Sequence, residues 1–268
     1  MEYQKGGSMA DSYIVRVSSQ KGGVGKTVIA VNLAAVLKSL DYDVLLIDAD
    51  TSNPSIGAHL GLGSVETGYK ELVDTGADIG SELSSYGPLG INVIPGTISV
   101  SQYHPTQNRL SEFYKKVKKE GYEVVIVDSA PGSFSEDEVR FFSEAMVVTI
   151  PELASARGSA SLAGAYEKYH VRHRLVINRV QSDVFEMTRE EIEKMYGDVA
   201  YSTIPDDPIV KQSVARRTPA YIMNPNSKFS LAIAQLSRAY QLRLGEPVAD
   251  KEKEGLGFGK RMRRFFGL

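Results

Sequence analysis

A glycine-rich turn carrying two lysines, Gln20-Lys21-Gly22-Gly23-Val24-Gly25-Lys26-Thr27, separates an apolar run at Tyr13–Ser18 from an apolar helical pattern over 27–40. No other feature of the chain limits the possible folds as much. The order predicts strand, tight loop and helix, with glycines that let the backbone curl until successive N–H groups face one point. The helix N-terminus adds its partial positive charge there. Such a loop cradles phosphates. Lys26 is placed to reach the β- and γ-phosphates of a nucleotide, and the Thr27 hydroxyl to ligate Mg2+. The strict pattern asks for glycine at its first position, where Gln20 stands.

The rest of the chain repeats the alternation. Apolar runs at 44–48, 91–95, 124–128, 146–150, 175–178 and 199–203 predict strands, and those at 44–47, 124–127 and 175–177 are apolar throughout, as strands buried on both faces should be. Helical patterns lie between them at 106–119, 154–169, 188–196, 206–217 and 227–243. The expectation is an α/β fold, a mostly parallel sheet with helices on both faces. At 268 residues the chain can bury a full core in one such domain. The absence of cysteine excludes disulfides, thiolate metal sites and cysteine nucleophiles. Residues 1–12 read as an N-terminal extension without the apolar core of a signal peptide, which places the protein in the cytoplasm. Residues 13–245 read as the domain, 246–254 as a charged linker and 255–268 as a separate short helix.

Two apolar strands end in aspartate, at Asp48-Ala49-Asp50 and at Asp128. Ligands of open α/β sheets bind beyond the carboxyl ends of strands, so these acids point toward the phosphates. Taken singly, each is equally a strand cap or the start of a turn. Asn178, ending another strand, reads alone as a turn residue. His170 and His173 form a His-x-x-His pair without a carboxylate at ligand spacing and read as structural.

The loop with its extra Lys21 resembles the deviant Walker A loop of the MinD/ParA family of P-loop ATPases, and Gln20 is closer to the ParA branch. The resemblance spans 13 to about 245. It implies a homodimer closed around ATP, with Lys21 crossing to the partner's phosphates beside the catalytic Lys26. It implies that Gly22, Gly23, Val24, Gly25, Lys26, Thr27 and Val28 hold the nucleotide. Val28 departs from the family's second threonine, removing a side-chain contact while keeping the backbone N–H. Asp128 resembles the Walker B aspartate, making Thr27, Asp48 and Asp128 the Mg2+ set, and Asp50 resembles the residue that orients the attacking water. Ser129-Ala130-Pro131-Gly132 is similar to the second switch. Glu152 and Ser155 are similar to residues facing the partner's nucleotide. Asn178 with Arg179, and Pro205 with Asp206, resemble the segments that hold the adenine. The iron–sulfur carrier branch is excluded, since its Cys-x-x-Cys is missing.

The formal charge of −2 conceals an asymmetry: the last fourteen residues carry four cations and no acid, leaving −6 on the body. Phe258, Met262, Phe265 and Phe266 fall on one face of a helix, with Lys260, Arg261, Arg263 and Arg264 largely opposite. That pattern suits a helix lying in the plane of an anionic membrane, and its position is similar to the membrane-targeting sequence of MinD-like proteins. Packing on the body, or remaining unfolded, are the blander alternatives. The expectation is therefore a MinD-like ATPase: slow until stimulated by an activating or cargo protein, peripheral on the cytoplasmic membrane face in its ATP-bound dimer, and positioning a cellular structure. The alternatives are a ParA-like ATPase that binds DNA non-specifically and a P-loop enzyme acting on a small molecule.

Overall fold

The computed structural model describes residues 12–63, 65–99, 103–197 and 201–244. Eight strands form one sheet in the order β3-β4-β2-β5-β1-β6-β7-β8. They are β1 (Tyr13–Ser18), β2 (Val44–Ala49), β3 (Ser84–Tyr86), β4 (Ile91–Ile94), β5 (Val124–Ser129), β6 (Glu144–Thr149), β7 (His173–Val180) and β8 (Tyr201–Pro205). All neighbours pair in parallel except β3, which runs antiparallel to β4 at the edge. The α/β architecture expected from the alternating pattern is the one observed.

Strand alternation divides the core into two main layers. On β1, Val15 and Val17 face α1 (Lys26–Ser39) and α10 (Lys228–Leu244), while Ile14 faces α3 (Tyr69–Thr75) and α4 (Gln107–Lys119). In helix α1 every residue from Ile29 to Leu37 is buried. This explains why its sequence is apolar nearly all round rather than along one stripe. The helix that opens the phosphate loop is thus clamped at the centre of the molecule.

Several elements differ from the sequence expectation. Strand β6 begins two residues early, at Glu144, a fully buried carboxylate that precedes the apolar run. It survives there because Arg174, Arg243 and the Tyr13 hydroxyl surround it. The helix expected over 206–217 is Pro208–Ala215 (α8), because Asp207 caps it by accepting from the Ile209 amide at 3.0 Å and proline takes the first turn. The short pieces α2 (Ile56–Leu60), α5 (Glu136–Val139), α9 (Ala220–Met223), α3 and β3 carried too few residues to show a period. The remaining helices, α6 (Leu153–Lys168) and α7 (Arg189–Tyr196), lie within a residue of their expected places.

The central strand β1 lies between β5 and β6. The chain leaves β1 toward β2 on one side and returns after β5 to β6 on the other. The carboxyl end of β1 is therefore a topological switch point, where a crevice opens above the sheet.

Candidate functional site

The loop from Ser19 to Gly25 emerges into that crevice. Gly23 and Gly25 have φ of 75° and 99°, in the left-handed region that a side chain disfavours. At Gly25 a Cβ would also collide with the Asn178 amide, which lies over the loop and donates to the Val24 carbonyl at 2.7 Å. The end of β7 therefore forms one wall of the loop.

Lys26 turns back into the loop and is only 7% exposed. Its Nζ donates to the Ser19 hydroxyl at 3.1 Å, and that hydroxyl donates to the Lys21 carbonyl at 2.8 Å. Burial lowers the ammonium's pKa, opposed by the nearby Asp128 and Asp50 carboxylates. An anion in the loop would restore the balance of charge.

Asp48 and Asp128 stand side by side in register on β2 and β5. Asp128 accepts from the Thr27 hydroxyl at 2.5 Å through Oδ2, while its buried Oδ1 has no partner among the described residues. Burial, and then the charge of Asp48, push Asp128 up to about 7. Asp48 is pushed up to about 6, again chiefly by burial, against the pull of three backbone amides. Those amides are Ser55 at 2.8 Å, Ile56 at 2.9 Å and Asp50 at 3.3 Å. Asp48 thereby ties down the loop over 50–56. The two acids crowd each other, and Asp128 keeps a free oxygen beside a threonine hydroxyl. A hard dication with phosphate ligands satisfies both conditions. No group of three or more His, Cys, Asp or Glu side chains able to hold a metal is found among the described residues. The arrangement suits Mg2+ held jointly by a hydroxyl, a carboxylate and a nucleotide rather than an all-protein cage.

Asp50 is half-buried, and its Oδ1 accepts from the Ser52 amide, the Ser52 hydroxyl and the Asn53 amide at 3.1, 2.5 and 3.0 Å. It heads a tight turn of the first loop. Lys21 and Glu152 lie on the exposed rim, paired at 2.7 Å. The adenine-side candidates sit together beyond β7 and β8. Asn178 is 4% exposed, Arg179 turns outward with φ of 58°, Pro205 ends β8, and the Asp206 amide donates to the Val180 carbonyl at 3.0 Å. Val28 is half-buried and packs against the core over α1.

One expectation is corrected. Ser155 does not reach the surface of this chain: it is fully buried, its hydroxyl 3.0 Å from that of Thr149 and accepting from the Ile150 amide at 3.3 Å. Its position in the first turn of α6 turns it inward. The candidate membrane residues Phe258, Lys260, Arg261, Met262, Arg263, Arg264, Phe265 and Phe266 lie outside the described residues. Sequence reasoning missed Ser19 as the partner of Lys26, and Ser55, whose hydroxyl lies 3.0 Å from that of Thr27. Neither serine carries a spacing signal.

Residues 15–220 match the model of the CobQ/CobB/MinD/ParA nucleotide binding domain. An uncharacterised ATP-binding protein of Methanocaldococcus jannaschii is 27% identical over 262 residues, covering 94% of this chain and 96% of that protein. The antiactivator FleN of Pseudomonas aeruginosa is 28% identical over 248 residues, 87% of each chain. Among solved structures, the septum site-determining protein MinD of Pyrococcus horikoshii complexed with Mg-ADP superposes with a TM-score of 0.78. It is 22% identical, covering 87% of this chain and 98% of that one.

Proposed function

The chain belongs to the CobQ/CobB/MinD/ParA nucleotide-binding family, and from that premise we propose that it is a MinD-like positioning ATPase that works as a MgATP-gated dimer on a membrane surface. The observation that carries the reading is the grouping of Lys26, Thr27 and Asp128 at the mouth of β1. It presents a buried ammonium, a hydroxyl and a carboxylate oxygen without a partner among the described residues, all in one crevice.

ATP enters with its phosphates on the amides of Gly22 to Thr27 and its purine near Asn178, Arg179, Pro205 and Asp206. Thr27, Asp48 and Asp128 would hold Mg2+, with Asp48 also fixing the first loop through the Ser55, Ile56 and Asp50 amides. Lys26 neutralises charge on the β- and γ-phosphates, which is where phosphoryl transfer needs electrostatic help. Asp50, at the head of its turn, orients the attacking water. Hydrolysis is slow because Lys21 must leave Glu152 and cross to a second copy before the charge is complete, and a stimulating partner acts on that step.

The domain covers 13–245, the linker 246–254 and the amphipathic segment 255–268. Among the described residues no helix is long and apolar enough to cross a membrane. A single short amphipathic helix binds a bilayer marginally, whereas two held in one dimer gain avidity of roughly 10²–10⁴. ATP thereby governs membrane residence through dimerisation. The test is co-sedimentation with anionic liposomes in ATP and in ADP, for the intact chain and a chain ending at Gly255. Binding that needs both ATP and the terminal segment supports the proposal. Binding to DNA instead of lipid replaces it with a DNA-partitioning ATPase.

A further inference from the structure

Strand β1 carries an arginine in its middle. Arg16 lies on the same face as Ile14, only 3% exposed, in a strand flanked on both sides. An apolar side chain is the ordinary choice there, and replacing a buried ion pair by apolar groups is often neutral or stabilising. Stability is therefore a poor reason for the arginine, and its contacts suggest another.

One end of the fork, Nη1, donates to Glu138 Oε2 on α5 at 2.5 Å. The other, Nη2, donates to both the carbonyl and the hydroxyl of Ser133 at 3.0 Å. Ser133 closes the loop that follows Asp128, and its hydroxyl donates in turn to the Ala130 carbonyl at 2.6 Å. The same loop borders a cavity of about 760 Å³ that also touches Thr51 and Ser52 of the first loop. The second loop is tied to β1 and to the residue after it: through Arg16, through Gly132 N to Ser19 O at 2.8 Å, and through the Ser129 hydroxyl to Val17 O at 2.8 Å. Burial alone would lower the arginine's pKa, but Glu138 more than reverses this, so the fork stays charged.

Glu138 extends the network. Its Oε1 accepts from Tyr114 at 3.0 Å and from Tyr69 at 3.4 Å. Tyr69 opens α3, and its amide donates to Pro95 O at 2.8 Å. The next residue, Gly96, packs so closely on Pro54 and Asp48 that an added Cβ would lie 2.5 Å from Pro54 Cβ and 3.0 Å from the Asp48 carboxyl carbon. A continuous path of contacts thus joins the first loop to the second through the Arg16–Glu138 pair.

We propose that Arg16 and Glu138 are positioning residues for ATP turnover, a buried brace through which the loop after Asp128 takes its place from the loop after Asp48. The inference rests on the ATPase reading for its link to turnover but has a readout of its own. The variants are Arg16→Met/Glu138→Leu, which keeps volume while removing both charges, Arg16→Lys, which keeps charge but loses the fork, and Tyr69→Phe/Tyr114→Phe, which keeps both rings.

Two quantities are read: kcat and KM for MgATP, and hydrogen exchange of amides 129–135 without nucleotide. The expected result is a fall in kcat of about tenfold for the first two variants, with KM within about twofold. Exchange in 129–135 should quicken in all three, the tyrosine pair included, while β5 amides before Asp128 stay unchanged. A wild-type kcat together with unchanged exchange in 129–135 would overturn the proposal. A wild-type chain that turns over no ATP would sink the ATPase reading instead, and unchanged exchange in the tyrosine variant would then sink the brace separately.

Discussion

Lys21 and Glu152 form an ion pair within one chain, Nζ to Oε2 at 2.7 Å, with both side chains about half exposed at 48% and 56%. On the proposed mechanism this lysine acts in a second copy, so the pair holds it back from its working position. Exposed pairs contribute about 0.2–1 kcal/mol. Glu152→Gln is therefore expected to tighten the ATP-dependent dimer by a factor of about two to five, measured by sedimentation velocity. An unchanged dissociation constant would mean that the pair does not restrain Lys21.

Lys26→Ala is expected to abolish nucleotide-dependent dimerisation, since on the proposed mechanism its buried ammonium is the loop's cation for the outer phosphates. Dimers of that variant forming normally in ATP would refute the site assignment.

Asp50→Ala removes the turn head that organises Ser52 and Asn53 and, on the proposed mechanism, the group that orients water. Its dimer should persist in ATP, with turnover reduced at least tenfold in a phosphate-release assay. Rapid hydrolysis by the variant would take Asp50 out of the reaction.

Asp128 makes a pH prediction. Its pKa in the folded chain, about 7, lies above its unfolded value, so between the two the native state binds more protons. The nucleotide-free protein should therefore lose stability as pH rises from about 4 to 7, with a slope of at most about 1.4 kcal/mol for each pH unit. Asp128→Asn should raise its melting temperature by several degrees at pH 8 and by clearly less at pH 5. The same variant should lose the Mg2+ dependence of nucleotide binding. Equal effects at both pH values would mean that Asp128 is ionised throughout.

Gly25→Ala tests the loop itself. The substitution meets both a φ of 99° and the amide of Asn178. A loss of about 1–3 kcal/mol in urea unfolding is expected, together with loss of nucleotide binding. A stable variant that binds ATP normally would show that the loop can relax away from β7.

Local pattern made much of this legible in advance. The run at Tyr13–Ser18 and the turn after it announced strand, loop and helix because their signals lie within one stretch of backbone. The aspartates were found because each ends an apolar run. The short helices α2, α3, α5 and α9 and the edge strand β3 escaped because so few positions, without a solid apolar run, carry no readable period. Glu144 misled the reading of β6, since a charge predicts exposure unless its partners are known, and Arg174 and Arg243 lie 30 or more residues away.

By itself the sequence determined the alternation of strands and helices, the glycine turn at the mouth of β1, and the amphipathic pattern over 255–268. Each is a consequence of neighbouring residues and their spacing. Tertiary structure alone decided that Asp48 and Asp128 share a register and crowd each other, that Ser19 receives Lys26, that Ser155 turns inward, and that Arg16 reaches Ser133 and Glu138. Ser19 and Ser155 meet residues only seven and six positions away, but the packing of the loop and of α6 sets which way they turn; the other contacts depend on which strands pair: β1 with β5 and β6, and β2 with β5. Pairing across a sheet joins residues 80 to 130 positions apart and leaves no spacing in the chain from which it could be read.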